Sequence, residues 1–533
     1  MDRGPKEKVA RGVAWQSASS WGAQLLSFGI YTGLARLLSP RLFGLVAIAW
    51  VYVAFIQVFV NQGFGTAIIQ RRDLKPEHLD SSFWISMVTA LFFCTLSMLL
   101  GGQIAHMFGE PGAAPVIRWL SLLFPITALS SVPTAILTRE LNFRPLAFRS
   151  LAATGLGGAI GLTMAFLGKG VWSLVGQQLA GAVVGCIALW LAVRWRPRLM
   201  ISKRHLRDLF GFSLSITAND ILSFFSNKSD QTLVGYGFGS GGLGPYSLAS
   251  RLITLLHDGI VGNLQSVAFP AFSKLQCEPL RLERSLHKFC EMSASFSLPL
   301  FAGVAVVAPQ LVPCLLGSKW ASAVPILQIL AFYGALRAVL GFVHPLMMAK
   351  GRAGLYLMLF VIWACVTLAG CLLAVRRSPQ AIAFSLVVTM ALFGAFQLIV
   401  LTKALGIRLA PLMRTFLFPG LSTLFMAAVV ALVQASVARS LAPAAALAVC
   451  ITTGALVYVL VALWARPDLV GEVCKMAGTI LPRGMHRHRH SDSKPLAAYP
   501  ARAADCGGGF LRENTMEGLD GGGPPVELHG QIE

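Results

Sequence analysis

The chain has 533 residues, of which 55% are hydrophobic and only 13% charged, with a mean hydropathy of +0.68. A soluble domain carries about 25% charged residues, so a nucleic-acid-binding protein does not fit despite the net charge of +21. Disorder over most of the chain is excluded by its apolar content, and a disulfide scaffold by cysteines that lie inside apolar runs, such as Cys94, Cys186, Cys365, Cys371 and Cys450.

A membrane-spanning helix needs about 20 mostly apolar residues, and about fourteen stretches qualify, which predicts an all-α polytopic membrane protein. In chain order they fall near 12–35, 42–64, 82–103, 115–137, 146–168, 171–193, 209–235, 243–270, 289–316, 324–348, 354–375, 380–402, 413–437 and 441–465. The first follows a basic start (Arg3, Lys6, Lys8, Arg11) in the manner of a signal peptide. Its apolar part is too long, is interrupted by Gln16, Gln24 and Ser27, and has no convincing cleavage site, so it reads as a retained helix. Residues 466–533 form a Gly-, Pro- and Arg-containing tail that reads as largely disordered. Its alternating His486, His488 and His490 have no Cys or carboxylate to complete a ligand set, and no metal or cofactor is expected.

Cytoplasmic loops retain Lys and Arg. With the N-terminus inside, these loops hold 25 of the 44 basic residues, the outer loops seven, the tail eight and the helices four. The alternation holds through every loop and places both termini in the cytoplasm. The positive charge is therefore mostly an orientation signal and a contact with anionic headgroups.

The two halves resemble each other. HMFGEPGAAPVIRWLSLLF (106–124) matches CLLGSKWASAVPILQILAF (314–332), with Gly109 over Gly317, Pro115 over Pro325 and Leu120 over Leu330. SPRLFGLVAIA (39–49) matches SGGLGPYSLAS (240–250). The separation is six helices, and an even number keeps both copies in one orientation, as in transporters whose parallel lobes flank a central cleft. The expected division is a six-helix lobe at 1–200, a second at 201–403, two additional spans at 404–465 and the tail at 466–533.

The segment GVAWQSASSWGAQLLSFGIYTGLARLLSPRLFGLVAIAWVYVAFIQVFVNQGFGTAIIQRRDL resembles the start of bacterial polysaccharide exporters of the colanic-acid type. KSDQTLVGYGFGSGGLGPYSLASRLITL (228–255), FPAFSKLQ (269–276) and LLGSKWASAVPILQILA (315–331) are similar to the same family, and the likeness covers roughly 10–465. It implies membership of the multidrug/oligosaccharidyl-lipid/polysaccharide flippase superfamily and an inner-membrane location. It also implies a polyprenyl-pyrophosphate-linked oligosaccharide moved between leaflets by alternating access. The implied partners are that substrate, membrane lipids, and a polysaccharide polymerase with its chain-length machinery, with no nucleic acid.

A charge at the bilayer centre costs on the order of 2.5–3.5 kcal/mol, so it tends to face a cavity or a partner. The predicted spans of the first half contain no Asp or Glu; those of the second contain Asp220, Asp230 and Asp258, beside Lys228, Arg251 and Arg337. Ser213, Thr217, Asp220, Asn227 and Gln231 share a helix face, and Gln24, Ser27 and Tyr31 form a counterpart stripe in the first span. These stripes suit either a water-filled cleft or hydrogen bonding between helices. A guanidinium holds a pyrophosphate through paired hydrogen bonds, which makes Arg251 the first candidate contact and Lys228 and Arg36 weaker ones. Alternatively, Arg251 neutralises Asp230 or Asp258. Asp220, Asp230 and Asp258 are candidates for a coupling ion or for charge balance. Asn227, Gln24 and Asn61 are candidate headgroup contacts, although Asn61 reads better as a buried hydrogen-bonding residue.

YGFGSGGLG (236–244) holds a formal GxGxxG, but apolar spans flank it and it reads as a short outer turn. No P-loop, HExxH, CxxC or GxSxG organises a catalytic site, so no enzyme is expected. Asp73, Glu77, Asp80, Glu110 and Glu140 read as solvated loop acids. A cation-coupled drug or small-solute exporter of the same fold is the alternative function. It is disfavoured because such exporters are expected to place an acid in the N-terminal lobe.

Overall fold

The computed structural model describes residues 22–71, 73–200, 203–436 and 441–466, without the side chains of 203–212, 215, 260 and 263. Arg3, Lys6, Lys8, Arg11, Gln16 and the tail with His486, His488 and His490 lie outside the described residues. All described residues belong to one unit that runs to Val470.

The first half is built from α1 (described over residues 22–37), α2 (Pro40–Asn61), α3 (Phe64–Gln70), α4 (Pro76–Met107), α5 (Ala113–Leu120), α6 (Leu123–Arg139), α7 (Phe143–Phe166) and α8 (Val171–Ala192). The second half follows with α9 (Lys203–His257), a π-helical turn (Asp258–Gly262), α10 (Asn263–Lys274), α11 (Pro279–Leu316), a 3-10 turn (Ser318–Trp320), α12 (Ala323–Leu340), α13 (Val343–Ala349), α14 (Ala353–Ala374) and α15 (Pro379–Leu405). Two more helices close the series, α16 (Leu409–Ser436) and α17 (Pro443–Ala465). Proline opens α2, α4, α11, α15 and α17, where its missing N–H leaves no helical bond unmade.

Among the described residues ten helices, taking α5 with α6 and α12 with α13, are long and apolar enough to cross a membrane. Residues 22–37, α7 and the two arms of α9 occupy the places of the other predicted spans, in accord with a count of about fourteen. Large apolar side chains such as Leu191, Leu373 and Trp464 point outward, as a lipid-facing surface requires. Two helices begin earlier than the apolar windows suggest. The extra turns of α4 and α11 carry Glu77, Asp80 and Glu283, since a helix continues into the polar interface beyond the hydrocarbon. Asp80 is not solvated as expected: it is buried and accepts the Arg198 backbone N–H at 3.2 Å.

The arms of α9 fold back on each other at a single residue. Gly239, at φ 60 and ψ −158, takes a backbone conformation open essentially to glycine alone. Around it Gln231 meets Ser250, and Tyr246 meets Asp230. Element order is duplicated between the halves. The broken pair α2/α3, split at left-handed Gln62 and Gly63, corresponds to the second arm of α9, the π-helical turn and α10. Gly109 and Gly317, aligned in the repeat, both have positive φ, at 65 and 95.

The halves touch through backbone near Gly44 and Gly244. A Cβ on Gly44 would stand 1.8 Å from the Ser240 carbonyl oxygen, and one on Gly244 would stand 2.0 Å from that of Pro40. Reciprocal contacts flank this crossing. Glu110, from the loop after α4, accepts the Ser240 N–H at 2.8 Å and the Ser240 hydroxyl, and so caps the second arm of α9. From the loop after α11, Trp320 Nε1 donates to the Ala35 carbonyl at 2.8 Å and Lys319 Nζ to that of Arg36 at 2.7 Å. The Arg36 guanidinium returns bonds to the carbonyls of Leu315, at 2.7 Å, and Cys314. Phe43 packs edge-on against Trp320 at 5.2 Å within an apolar core shared by both halves. Helices α16 and α17 pack on α11 through Val307, Met426 and Leu447.

Candidate functional site

Depth on the α9 hairpin is set by distance from Gly239. Lys228 and Arg251 lie eleven and twelve residues from it on opposite arms, which is ~16–18 Å along the helix axis. That depth is near the middle of a hydrocarbon core ~30 Å thick. Lys228 Nζ donates to Gln231 Oε1 at 3.3 Å, and Gln231 Nε2 donates to Ser250 Oγ at 3.2 Å, so one amide ties the arms together beside the charges. Asp230 points into the hairpin, buried, where the Tyr246 hydroxyl donates to it at 2.8 Å.

Arg251 stands apart from these pairs. Its side chain is exposed and makes no hydrogen bond or ion pair among the described residues. It lies in electrostatic reach of Lys228 on its own hairpin and of Tyr31 on α1. It therefore faces the first helix of the other half, two turns along from Gln24 on the same stripe. Lys228 lies within electrostatic reach of both the buried Asp230 and Arg251, so two cations share this level.

Asp220 and Asp258 form a second level, each nineteen residues from Gly239, or ~28 Å along the arms. Asp258 opens the π-helical turn. Its Oδ1 lies 3.3 Å from His257 Nδ1, and Arg337 and Arg251 are within electrostatic reach.

Of the candidates read from sequence, the structure brings Arg251, Lys228 and Asp230 to one level, with Asp258 linked to Arg251 from below. Asn227 turns elsewhere: its amide donates to the Ser223 carbonyl at 2.8 Å, and it edges a separate cavity. Gln24 is half-buried, with no hydrogen bond among the described residues. Arg36 is not brought to this group, because its guanidinium is bonded to the carbonyls of Leu315 and Cys314. Asn61 is exposed at the end of α2, ~25 Å along that helix from the Gly44 crossing.

The polar stripe of α9 divides between its two readings. Ser213 donates to the Gln62 carbonyl, and Thr217 to that of Ser213, so the part near α3 joins helices. The part nearer Gly239 carries Lys228 and Gln231. His257, Arg337 and Gln397, not singled out as contacts, line a cavity of about 250 Å³ inside the second half. They sit on α9, α12 and α15, so no local period groups them; the pairing of His257 with Asp258 was the one local sign.

Comparison with known proteins places this architecture. A model of the family described as "Polysaccharide biosynthesis protein" matches residues 34–325. The chain belongs to that family. It is 30% identical over 323 residues to the succinoglycan biosynthesis transport protein ExoT of Rhizobium meliloti (strain 1021), covering 61% of this chain and 65% of that protein. It is 26% identical to the lipopolysaccharide biosynthesis protein WzxC of Escherichia coli (strain K12), covering 65% and 71% of the two chains. The teichuronic acid biosynthesis protein TuaB of Bacillus subtilis (strain 168) is 25% identical, at 66% and 73% coverage. Among solved structures, the lipid II flippase MurJ in an inward closed conformation gives a TM-score of 0.71 at 14% identity, covering 85% of this chain and 99% of that one. An inward-facing MATE family multidrug resistance transporter of the MOP superfamily gives 0.58 at 16% identity, covering 72% and 94%. These two likenesses are of fold.

Proposed function

We propose that the protein is a flippase that moves polyprenyl-pyrophosphate-linked oligosaccharide units across the bacterial inner membrane for exopolysaccharide, capsule or O-antigen synthesis. The observation that carries this reading is Arg251: an exposed guanidinium mid-way along the spans, facing α1, with no bonded partner among the described residues. Lys228 adds a second cation at the same depth. Such charge stays in a membrane interior where it meets an anion, and a guanidinium matches phosphate oxygens through two parallel bonds. Family membership and the transport protein ExoT support the same reading.

In this scheme residues 1–200 and 201–403 act as two lobes that rock about the Gly44–Gly244 crossing. The cleft opens first toward the cytoplasm, where both termini lie, and then outward, while the polyprenyl tail stays in lipid. The sugar polymer is built elsewhere, by a polymerase and its chain-length machinery; this chain transports and catalyses no bond change. The test is export in cells and accumulation of the lipid-linked precursor. Arg251→Ala is expected to lower export about tenfold or more, since charge-assisted bonds are worth about 1.5–3 kcal/mol, and to raise the precursor. Arg251→Lys keeps part of the activity. Normal export in Arg251→Ala removes the proposed site.

A further inference from the structure

The cavity of about 250 Å³ in the second half has two unlike walls. One is aromatic: the His344 and Tyr356 rings stand 4.4 Å apart, Tyr356 lies parallel to Phe360 at 6.0 Å, and Phe360 adjoins Trp363 at 5.7 Å. The other is polar, made by Arg337, His257, Asn227, Gln265 and Gln397, and no Asp or Glu among the described residues lines the cavity.

Several of these polar groups lack partners. Gln397 is 7% exposed and makes no hydrogen bond among the described residues. His257 is 4% exposed; its Nδ1 serves Asp258, and its buried Nε2 has no partner. The Arg337 guanidinium forms no hydrogen bond or ion pair among the described residues, although Asp258 is within electrostatic reach. An apolar pocket would have no reason to hold such groups, since burying polar atoms unpaired is unfavourable. Arg337 and the Gln397 amide stand ready for a ligand with acceptors, while His257 Nε2, on a ring that donates to Asp258 from Nδ1, can accept from a ligand hydroxyl.

The walls specify that ligand. Aromatic faces are electron-rich and suit the C–H face of a pyranose ring, while amides fix its hydroxyl groups. A guanidinium without a lining acid selects for a carboxylate. The volume falls below the ~300–1,000 Å³ of sites for drug-sized ligands, so it suits one ring. Asn227, at the cavity edge, precedes Lys228 in the charged level, which puts the cavity beside the proposed pyrophosphate contact.

We infer that this cavity holds one carboxylated pyranose ring of the transported headgroup, with Arg337 reading the carboxylate and Tyr356, Phe360 and Trp363 stacking on the ring. The inference rests on the flippase reading for its substrate, and its test is independent of transport. Purified protein in lipid nanodiscs is probed by saturation-transfer NMR with methyl glucuronide and methyl glucoside. The glucuronide is expected to give at least a fivefold stronger signal. Arg337→Gln brings it down to the glucoside level, Arg337→Lys keeps part of the difference, and Trp363→Leu weakens both ligands. Gln397→Ala, which removes no charge, weakens both ligands and preserves their ratio; each variant is first shown to keep the parent's thermal transition. Equal signals from the two sugars overturn the carboxylate assignment. No signal from either sugar, in a protein whose Arg251-dependent export is intact, overturns the cavity assignment and leaves the flippase reading standing. Arg337-dependent binding in a protein whose export is indifferent to Arg251→Ala supports the cavity and sinks the transport site instead.

Discussion

The two halves of the chain follow one order of helices and fill it with different chemistry. In the first half, helices approach through small residues: a Cβ on Gly157 would stand 2.9 Å from the Gly181 Cα, and one on Gly158 would strike Ile30. Its cations sit near helix ends, with Arg118 beside Gly101 and Arg149 beside Thr134. The second half carries Lys228, Asp230 and Arg251 well inside the arms of α9, with Asp258 at the π-helical break and Arg337 in the last turn of α12. A duplicated scaffold supplies matching helix breaks, and under the proposed flippase function a ligand needs its charged contacts only once. Repetition here preserves mechanics and leaves the chemistry free to diverge.

The sharpest way to break this contrast is where the halves meet through backbone. Gly244→Ala and Gly44→Ala each place a methyl against a carbonyl of the other half that no side-chain rotation can move. Each is expected to destabilise the protein by about 3 kcal/mol, at the upper end of overpacking effects, visible as a large drop in the thermal transition of purified protein. Gly29→Ala, whose new methyl meets nothing within 4 Å, is the matched control and leaves the transition in place.

The same substitution made in each half sharpens the difference. Tyr246→Phe strands the buried Asp230 carboxylate and is expected to cost about 2 kcal/mol. Tyr52→Phe removes a bond of 2.8 Å to Ser97 Oγ, but Ser97 keeps the Phe93 carbonyl as acceptor, so about 1 kcal/mol is expected. Equal losses in thermal or denaturant unfolding contradict the claim that the Tyr246 hydroxyl serves a buried charge and the Tyr52 hydroxyl does not. The smallest effect belongs to Glu110→Gln. It keeps an acceptor for Ser240 and loses the charge at a helix N-terminus, about 0.3–1 kcal/mol, with a long, exposed ion pair to Arg41, and that loss shrinks as salt is added.

Much of this was legible because membrane helices announce themselves. Apolar length gave the spans, and the aligned Gly109 and Gly317 marked the repeat, whose two copies both have positive φ there. Arg251 and Lys228 stood out as charges inside apolar runs. Their common depth was not legible, since it depends on which residue reverses the hairpin, and YGFGSGGLG offers several glycines for that role. Arg36 read as a free cation because the carbonyls that hold it carry no side-chain signature. Asp80 read as solvated because the Arg198 N–H that it accepts lies in another loop, 118 positions away. The cavity lined by His257, Arg337 and Gln397 exists only through tertiary packing of helices distant in sequence.

The contacts of Arg36, Lys319 and Trp320 have a genetic consequence. Every acceptor they use is a main-chain oxygen, which any amino acid supplies equally well. A saturation screen across Ala35, Cys314 and Leu315 would therefore register tolerance for bonding while the three donors register loss. The two sides of one contact would then seem unrelated. Compensating second-site changes, the usual genetic evidence that two segments touch, have nothing to act on at the acceptor side. In this region the halves can drift in sequence independently and still close on each other.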